Sequence, residues 1–423
     1  MKRDDYMAID KNKTKKLIQD IEDLFFTLSK PLPDEAKNFI KEKVMDPIFE
    51  EVSKLIGESR PPVIFLVGRS GHGKSSLLNA LANRKVAEVG DVKPTTAQAV
   101  AYEINFPDRY ATWTVVDTRG IFETTKPDGA LGDDTVEILK QDIVKYKPDI
   151  ILHVVAASEL RNLSNDLKVF KELVKQVKKE RDIEVPTIVA INKVDTLGNP
   201  RAWPPEESAE KSHLIKEALE YMTQDILKIE DMEKIDLNNS IKGYKTFEDQ
   251  YKGVVPVCSL EGDFWNIESL SDLIGAHLPD EAIIDFYQAQ ERKSQLKGLS
   301  TSIINKFATI SGTIGASPVP IADILILTPL QLLMISIIGG LSCREFTKET
   351  AYEYLTAAGI NIGAAFGLRT VAHQLMKLIP VAGWAGSGAI AASGTYAIGK
   401  SAEAYFFLGE IKKPETIKNK KEK

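Results

Sequence analysis

One short loop constrains this chain more than any other stretch. The run Gly68-x-x-x-x-Gly73-Lys74-Ser75, within IFLVGRSGHGKSSLLNAL, follows an apolar, β-branched segment and precedes a helical one. Glycines at both ends let main-chain amides turn inward and form a nest for phosphate oxygens. Lys74 supplies a point charge for β- and γ-phosphates, and the Ser75 hydroxyl suits Mg2+. The helix starting near Lys74 adds the positive end of its dipole. Gly68, Arg69, Ser70, Gly71, His72, Gly73, Lys74, Ser75 and Ser76 are therefore the expected phosphate cradle. A cradle of this kind has meaning only between a strand and a helix, so it commits the surrounding chain to an α/β layer.

The flanking sequence agrees with that commitment. From Pro62 to about Leu278, short runs (PVIFLVG, WTVVDT, DIILHVVA, VPTIVAIN, VVPVCS) alternate with helical patterns. Their apolarity is too continuous for half-exposed strands, so they predict a mostly parallel sheet covered by helices on both faces. AVAYEINF alternates more and reads as an edge strand. Residues 12–57 read as two amphipathic helices broken at KPLPDE, with Leu17, Ile21, Leu24 and Phe25 at three- and four-residue spacing. Asp34 is the expected cap of the second. Helical pattern returns after Ala282. The expected division is an N-terminal helical segment (1–60), the α/β domain (61–280), a Gly/Ala-rich all-α domain (281–410) and a lysine-rich tail (411–423).

The phosphate loop alone does not separate ATP from GTP. IVAINKVDTLG does, because Asn192-Lys193-Val194-Asp195 ends an apolar strand. The Asp195 carboxylate can accept from guanine N1–H and the 2-amino group, a donor pair that adenine lacks. Asn192 is expected to fix the loops and the Lys193 stem to pack over the base. Between these motifs, GDVKPTTAQAV offers Thr95 or Thr96 to complete the Mg2+ shell and sense the γ-phosphate; Thr96 is preferred. Asp117 ends the third strand and would hold the metal through a water, while the Gly120 amide reaches the γ-phosphate. Cys258-Ser259-Leu260 lies where loop amides meet guanine O6, although Cys258 reads equally as a packed core thiol. Lys74, Thr96 and Gly120 are thus the expected catalytic set, and Ser75, Thr96 and Asp117 the metal set. The agreement of all these motifs in chain order is what gives each its weight. Ile121 stands where Ras-type enzymes use a glutamine to orient the attacking water, so slow hydrolysis is expected unless the GDVKPTTAQAV segment (switch I), a second copy or a partner completes the site. Arg119 is expected to be a solvated switch residue.

Together these motifs resemble the Era/TrmE/septin-like branch of the translation-factor-related GTPases. GRSGHGKSSLLNAL, KPTT, DTRGI and NKVD carry the resemblance over residues 61–278. It implies a Ras-like sheet with an antiparallel edge pair, Mg2+-dependent GTP hydrolysis and nucleotide-gated partner binding. Potassium-activated members carry an asparagine where this chain has Gly71, so that coordination is not expected. The insertion between Asp195 and Cys258 exceeds a minimal domain and is expected to add a helix and a partner surface. The C-terminal region resembles a Gly/Ala-rich helical domain of unknown function that follows Era-like GTPases. PVPIADILILTPLQLLMISIIGGL, MKLIPVAGWAGSG and YAIGKSAEAYF carry it. Proteins with that domain are regarded as membrane-associated.

Charge distribution frames the partner question. The net charge of −6 over 423 residues argues against bulk nucleic-acid binding. Cys258 and Cys343 form no disulfide framework, and the polar N-terminus lacks a signal-peptide core, so a cytoplasmic location is expected. Residues 324–343 and 378–399 carry no charge, and each is long enough to cross a hydrocarbon core of about 30 Å. Gly359, Gly363 and Gly367 make a small-residue stripe suited to close helix packing. Pro329, Gln331 and Asp323 argue the other way, for buried helices of a soluble bundle with the N-terminal helices in its outer layer. Two readings therefore stand: a hairpin in the inner membrane, or a soluble or peripherally attached bundle. GTP and GDP, a membrane, and a homodimer through the nucleotide domains are the partners to consider. The rivals are a ribosome-assembly or RNA-associated GTPase and a nucleotide-dependent scaffold without turnover.

Overall fold

The computed structural model describes residues 11–30, 33–53, 56, 58–86, 99–118, 133–162, 164–237, 240–246, 250–315, 322–359 and 388–417. They fall into two compact units: residues 61–105 with 112–286, and residues 1–60 with 106–111 and 287–423.

The first unit is built on a sheet ordered β2-β3-β1-β4-β5-β8-β7-β6. Its strands are β1 (Val63–Val67), β2 (Val100–Phe106), β3 (Ala111–Asp117), β4 (Ile150–Ala156), β5 (Thr187–Asn192), β6 (Glu233–Leu237), β7 (Ser240–Lys245) and β8 (Tyr251–Pro256). β1 runs parallel to β3 and β4, β4 to β5, and β5 to β8. Every residue of β4 and β5 is buried, which explains their unbroken apolarity: a strand covered on both faces has no solvent side to mark. β2 lies at the edge, as its alternation suggested. Helices α4 (Lys74–Ala82), α5 (Asp133–Tyr146), α6 (Ser164–Arg181), α7 (Ala209–Glu220), α8 (Ile267–Gly275) and the start of α9 (Asp280–Ala289) complete the unit. Leu139 and Ile143 of α5 and Phe170 and Val174 of α6 share one core with Phe65, Ile151 and Val189 of the strands.

The insertion supplies more than a helix. Besides α7, it forms the β6–β7 hairpin, which pairs antiparallel with β8 and extends the sheet. α7 begins at Ser208, whose side chain accepts from the Lys211 amide at 3.2 Å. Register brings the carboxyl ends of the central strands level: Leu66 pairs Asp117, Val67 pairs His153, and Ala156 pairs Asn192. In open α/β sheets, ligands bind beyond these strand ends.

The second unit is helical. α1 (Lys11–Ser29) is followed by α2 (Asp34–Ile40), a π-helical turn over Lys41–Met45, and α3 (Asp46–Val52). Pro33, not Asp34, occupies the cap position of α2; Asp34 is the first helical residue and accepts from Lys37 Nζ at 3.0 Å. α10 (Lys293–Gly315), α11 (Ala322–Leu341), α12 (Lys348–Ala357) and α13 (Gly388–Leu408) follow. α11 is the uncharged run, and it packs against α1, α10, α12 and α13. Its residues from Leu327 to Leu341 are all buried. A helix apolar on every side is what an interior position demands. Gln331 is accommodated by donating to Thr395 at 3.3 Å, and Thr395 donates onward to Ser311 at 2.9 Å.

Among the described residues, no helix is long and apolar enough to cross a membrane. Residues 378–387 of the second uncharged segment lie outside the described residues. Gly359 does not begin a helical stripe: it follows the end of α12 with φ +85°. Gly363 and Gly367 lie outside the described residues.

Candidate functional site

The loop between β1 and α4 is held from several directions. Lys74 is buried, and its Nζ donates to the carbonyls of Gly68 at 2.7 Å and Arg69 at 3.2 Å, curling the loop around its ammonium. Gly73 has φ +86°, and a Cβ there would stand 2.4 Å from Asn192 Nδ2. Only glycine meets both conditions. The Asn192 amide uses that space. It donates to the carbonyls of His72 at 3.0 Å and Gly73 at 3.3 Å, while its Oδ1 accepts from Ser259 at 2.9 Å. Thus one buried asparagine at the end of β5 joins the loop after β1 to the loop after β8.

Lys193 follows with φ +60° and opens the tight turn Val194–Thr196 that carries Asp195. Cys258 is buried, and its amide donates to the Trp265 carbonyl at 3.1 Å. Of the three residues expected near guanine O6, Cys258 therefore commits its amide to this bridge, Ser259 its hydroxyl to Asn192, and Leu260 is exposed. Burial, then the Asp195 carboxylate, pushes the Cys258 thiol up to about 12, so it stays protonated. Asp117 is buried at the end of β3, and the Thr118 hydroxyl donates to the Leu66 carbonyl at 2.9 Å, tying that strand end to β1.

Comparison with known proteins bears on this constellation. Residues 63–193 match the family described as 50S ribosome-binding GTPase. Residues 285–421 match a domain of unknown function, DUF697. The chain carries a P-loop GTPase domain. It is 35% identical to GTPase Era of Aquifex aeolicus over 135 residues, 32% of this chain and 41% of that protein. It is 27% identical to translation initiation factor IF-2 of Lacticaseibacillus casei over 179 residues, 42% of this chain and 15% of that protein. The chain spans less than half of either relative. A solved Aquifex aeolicus Era bound to GDP and aluminium fluoride is 22% identical, covers 59% of this chain and 66% of its own, and gives a TM-score of 0.30, an overlap too low to compare the two arrangements.

Within this GTPase domain, several contacts had no separate signal in the sequence. Arg69 pairs with the buried Asp166 of α6 through Nε at 2.9 Å and Nη2 at 2.7 Å. His72 is buried, its Nδ1 lying 3.1 Å from the Val154 carbonyl and its Nε2 3.3 Å from Glu159. Both neighbours are oxygen acceptors, so a neutral imidazole donates to one and leaves the other facing a lone pair. Burial lowers the His72 pKa, while the Val154 carbonyl and Glu159 oppose it. These side chains fasten the phosphate loop to β4 and α6. The spacing of the motif marks residues that touch phosphate, but it contains nothing about what stands behind them. Thr95, Thr96, Arg119, Gly120 and Ile121 lie outside the described residues.

The donors present suit magnesium. Ser75 opens α4 with a hydroxyl, and Asp117 offers a carboxylate from the neighbouring strand. These are hard oxygen ligands, and Mg2+ needs only one or two protein oxygens beside phosphate and water.

Proposed function

We propose that the chain binds guanine nucleotides and hydrolyses GTP to GDP and phosphate with Mg2+. The observation that carries this reading is Asn192, whose side chain ties the phosphate loop to the Ser259 loop at the strand end that leads into the base-reading turn. In this reading, the loop amides of Gly68 to Ser76 surround the phosphates and Lys74 transfers its ammonium from the Gly68 and Arg69 carbonyls to the β- and γ-oxygens. Ser75 and Thr96, with Asp117 through a water, would hold Mg2+, which would supply positive charge against that developing on the transferred phosphoryl group. The Gly120 amide reaches the γ-phosphate. Asp195 reads the guanine edge, beneath the Lys193 stem, and the Ser259 and Leu260 amides face O6.

An aliphatic chain at Ile121 cannot orient water, so intrinsic turnover is slow. The missing group arrives from switch I, a second protomer or a partner. Nucleotide state then acts on the helical unit, with peripheral attachment as the form of membrane role that the interior position of α11 favours. Single-turnover assay of purified protein tests the enzymatic reading. GDP should form above background and Lys74→Ala should reduce the rate by at least about a hundredfold. Absence of GDP at any protein concentration sinks hydrolysis and leaves a binding scaffold. Flotation with liposomes in the two nucleotide states tests attachment; no response in either state removes it.

A further inference from the structure

We propose that Lys211 is a positioning residue for guanine recognition, holding from behind the main chain that carries Asp195. The proposal rests on the reading of Asp195 as the base-reading carboxylate. Lys211 lies in the first turn of α7, within the insertion, where a lysine ordinarily points to solvent. It is 1% exposed and among the largest fully buried side chains of the molecule. A buried ammonium persists only where acceptors compensate its lost water. Here Nζ donates to the carbonyl of Asp195 at 2.6 Å and to that of Leu197. Burial draws its pKa below the ordinary lysine value and the Asp195 charge opposes that.

Those two carbonyls belong to the end of the turn Val194–Thr196, where main-chain acceptors have lost their helical partners and a cation is favoured. The turn's internal bonds are short-range: Leu197 donates to the Val194 carbonyl at 3.2 Å and Thr196 Oγ1 to the Lys193 carbonyl at 2.7 Å. The link from Val194 to the Val257 carbonyl is long, at 3.4 Å. Lys193 adopts φ +60°, a conformation that non-glycine residues keep only where their surroundings enforce it. The far side of the turn lies flush on α7: Gly198 has φ +62°, and a Cβ there would stand 2.6 Å from Leu214 Cδ1. α7 is itself fixed by its Ser208 cap and by Ser212 Oγ donating to the Pro205 carbonyl at 2.6 Å. The insertion thus provides a rigid backing for the base-reading turn. A carboxylate that must meet two base donors at once tolerates only small displacement.

The test compares equilibrium binding of GDP, IDP and XDP to the full chain. IDP lacks the 2-amino group and XDP replaces it with an acceptor. Wild type should favour GDP over IDP by about tenfold or more, and Asp195→Asn should move preference to XDP. Lys211→Met should weaken GDP most, IDP (which keeps N1–H) less and XDP least, so that the GDP-to-IDP ratio falls toward one. Lys211→Arg, which keeps the donors, should restore much of the ratio. A general loss of stability would instead lower all three affinities together. If Lys211→Met proves unfolded by circular dichroism, Lys211→Gln decides, because its shorter amide keeps a polar head but cannot reach both the Asp195 and Leu197 carbonyls and should lose the same ratio. A retained ratio in the folded Lys211→Met or, failing that, in Lys211→Gln overturns the role of Lys211. Failure of Asp195→Asn to turn toward XDP overturns the base reading itself.

Discussion

His153 on β4 is buried, with Phe170 standing edge-on at 5.0 Å between ring centroids. Burial, followed by the positive charges of His72 and Lys74, lowers its pKa from 6.5 to about 3. The folded state therefore prefers the neutral imidazole, and its stabilising contribution is complete above pH 6.5. As pH falls from 6.5 toward 3, the unfolded chain takes up a proton that the folded chain refuses. Stability drops by about 1.4 kcal/mol per pH unit in that window, so pH 5 costs about 2 kcal/mol relative to pH 7. Urea unfolding of wild type and His153→Gln at the two pH values checks this; equal pH slopes would refute it. Gly73 shows what was legible at this scale and what was not. Its place in the phosphate motif was readable from spacing, whereas its second duty, leaving room for the Asn192 amide, depends on a residue far along the chain. Gly73→Ala should weaken nucleotide binding by at least about tenfold, read by fluorescent-nucleotide titration, because it strains the loop and displaces that amide together.

α11 was visible in the sequence as an uncharged run, but hydropathy reports that a segment avoids water, not what surrounds it. The answer lay in the N-terminal α1, whose Leu17, Ile21, Leu24 and Phe25 are buried. Two ion pairs accompany the packing, Lys13 with Glu345 at 2.5 Å and Lys348 with Asp20 at 3.0 Å. All four side chains keep substantial exposure, so each pair contributes less than about 1 kcal/mol. Packing dominates: Phe25→Ala should cost about 3 kcal/mol and Lys13→Ala under about 1 kcal/mol, measured by urea unfolding monitored through helical circular dichroism. Equal effects would contradict that ranking. The β6–β7 hairpin carried no clear sequence signal for a different reason. EKIDL and SIKGYK mix charge, glycine and apolar residues because they extend the sheet at its margin, and so lack the apolar continuity that marked the central strands. Charged residues on a marginal strand also discourage further strand addition.

At the scale of the molecule, the order of the motifs along the chain was enough to read the α/β fold and its P-loop GTPase family. Motifs work there because each loop must meet the same ligand, so spacing and chemistry are fixed together. The helical unit offered no such ligand, and its arrangement depended on contacts between distant segments. Turnover belongs to this scale too. Ile121→Ala should leave basal hydrolysis largely intact, measured under single-turnover conditions; a collapse in rate without unfolding would assign Ile121 a direct role. A specific rate that climbs with protein concentration would identify a second copy as the source of the missing group.

The turn 106–111 belongs to the helical unit, whereas the strands on either side of it belong to the α/β unit. Phe106 is fully buried and Arg109 nearly so, its guanidinium donating to the Ala289 carbonyl and lying 3.3 Å from Glu291. The two units are therefore interleaved along the chain. A single cut in the polypeptide therefore cannot separate the two units, since the helical one takes residues from three stretches of the chain.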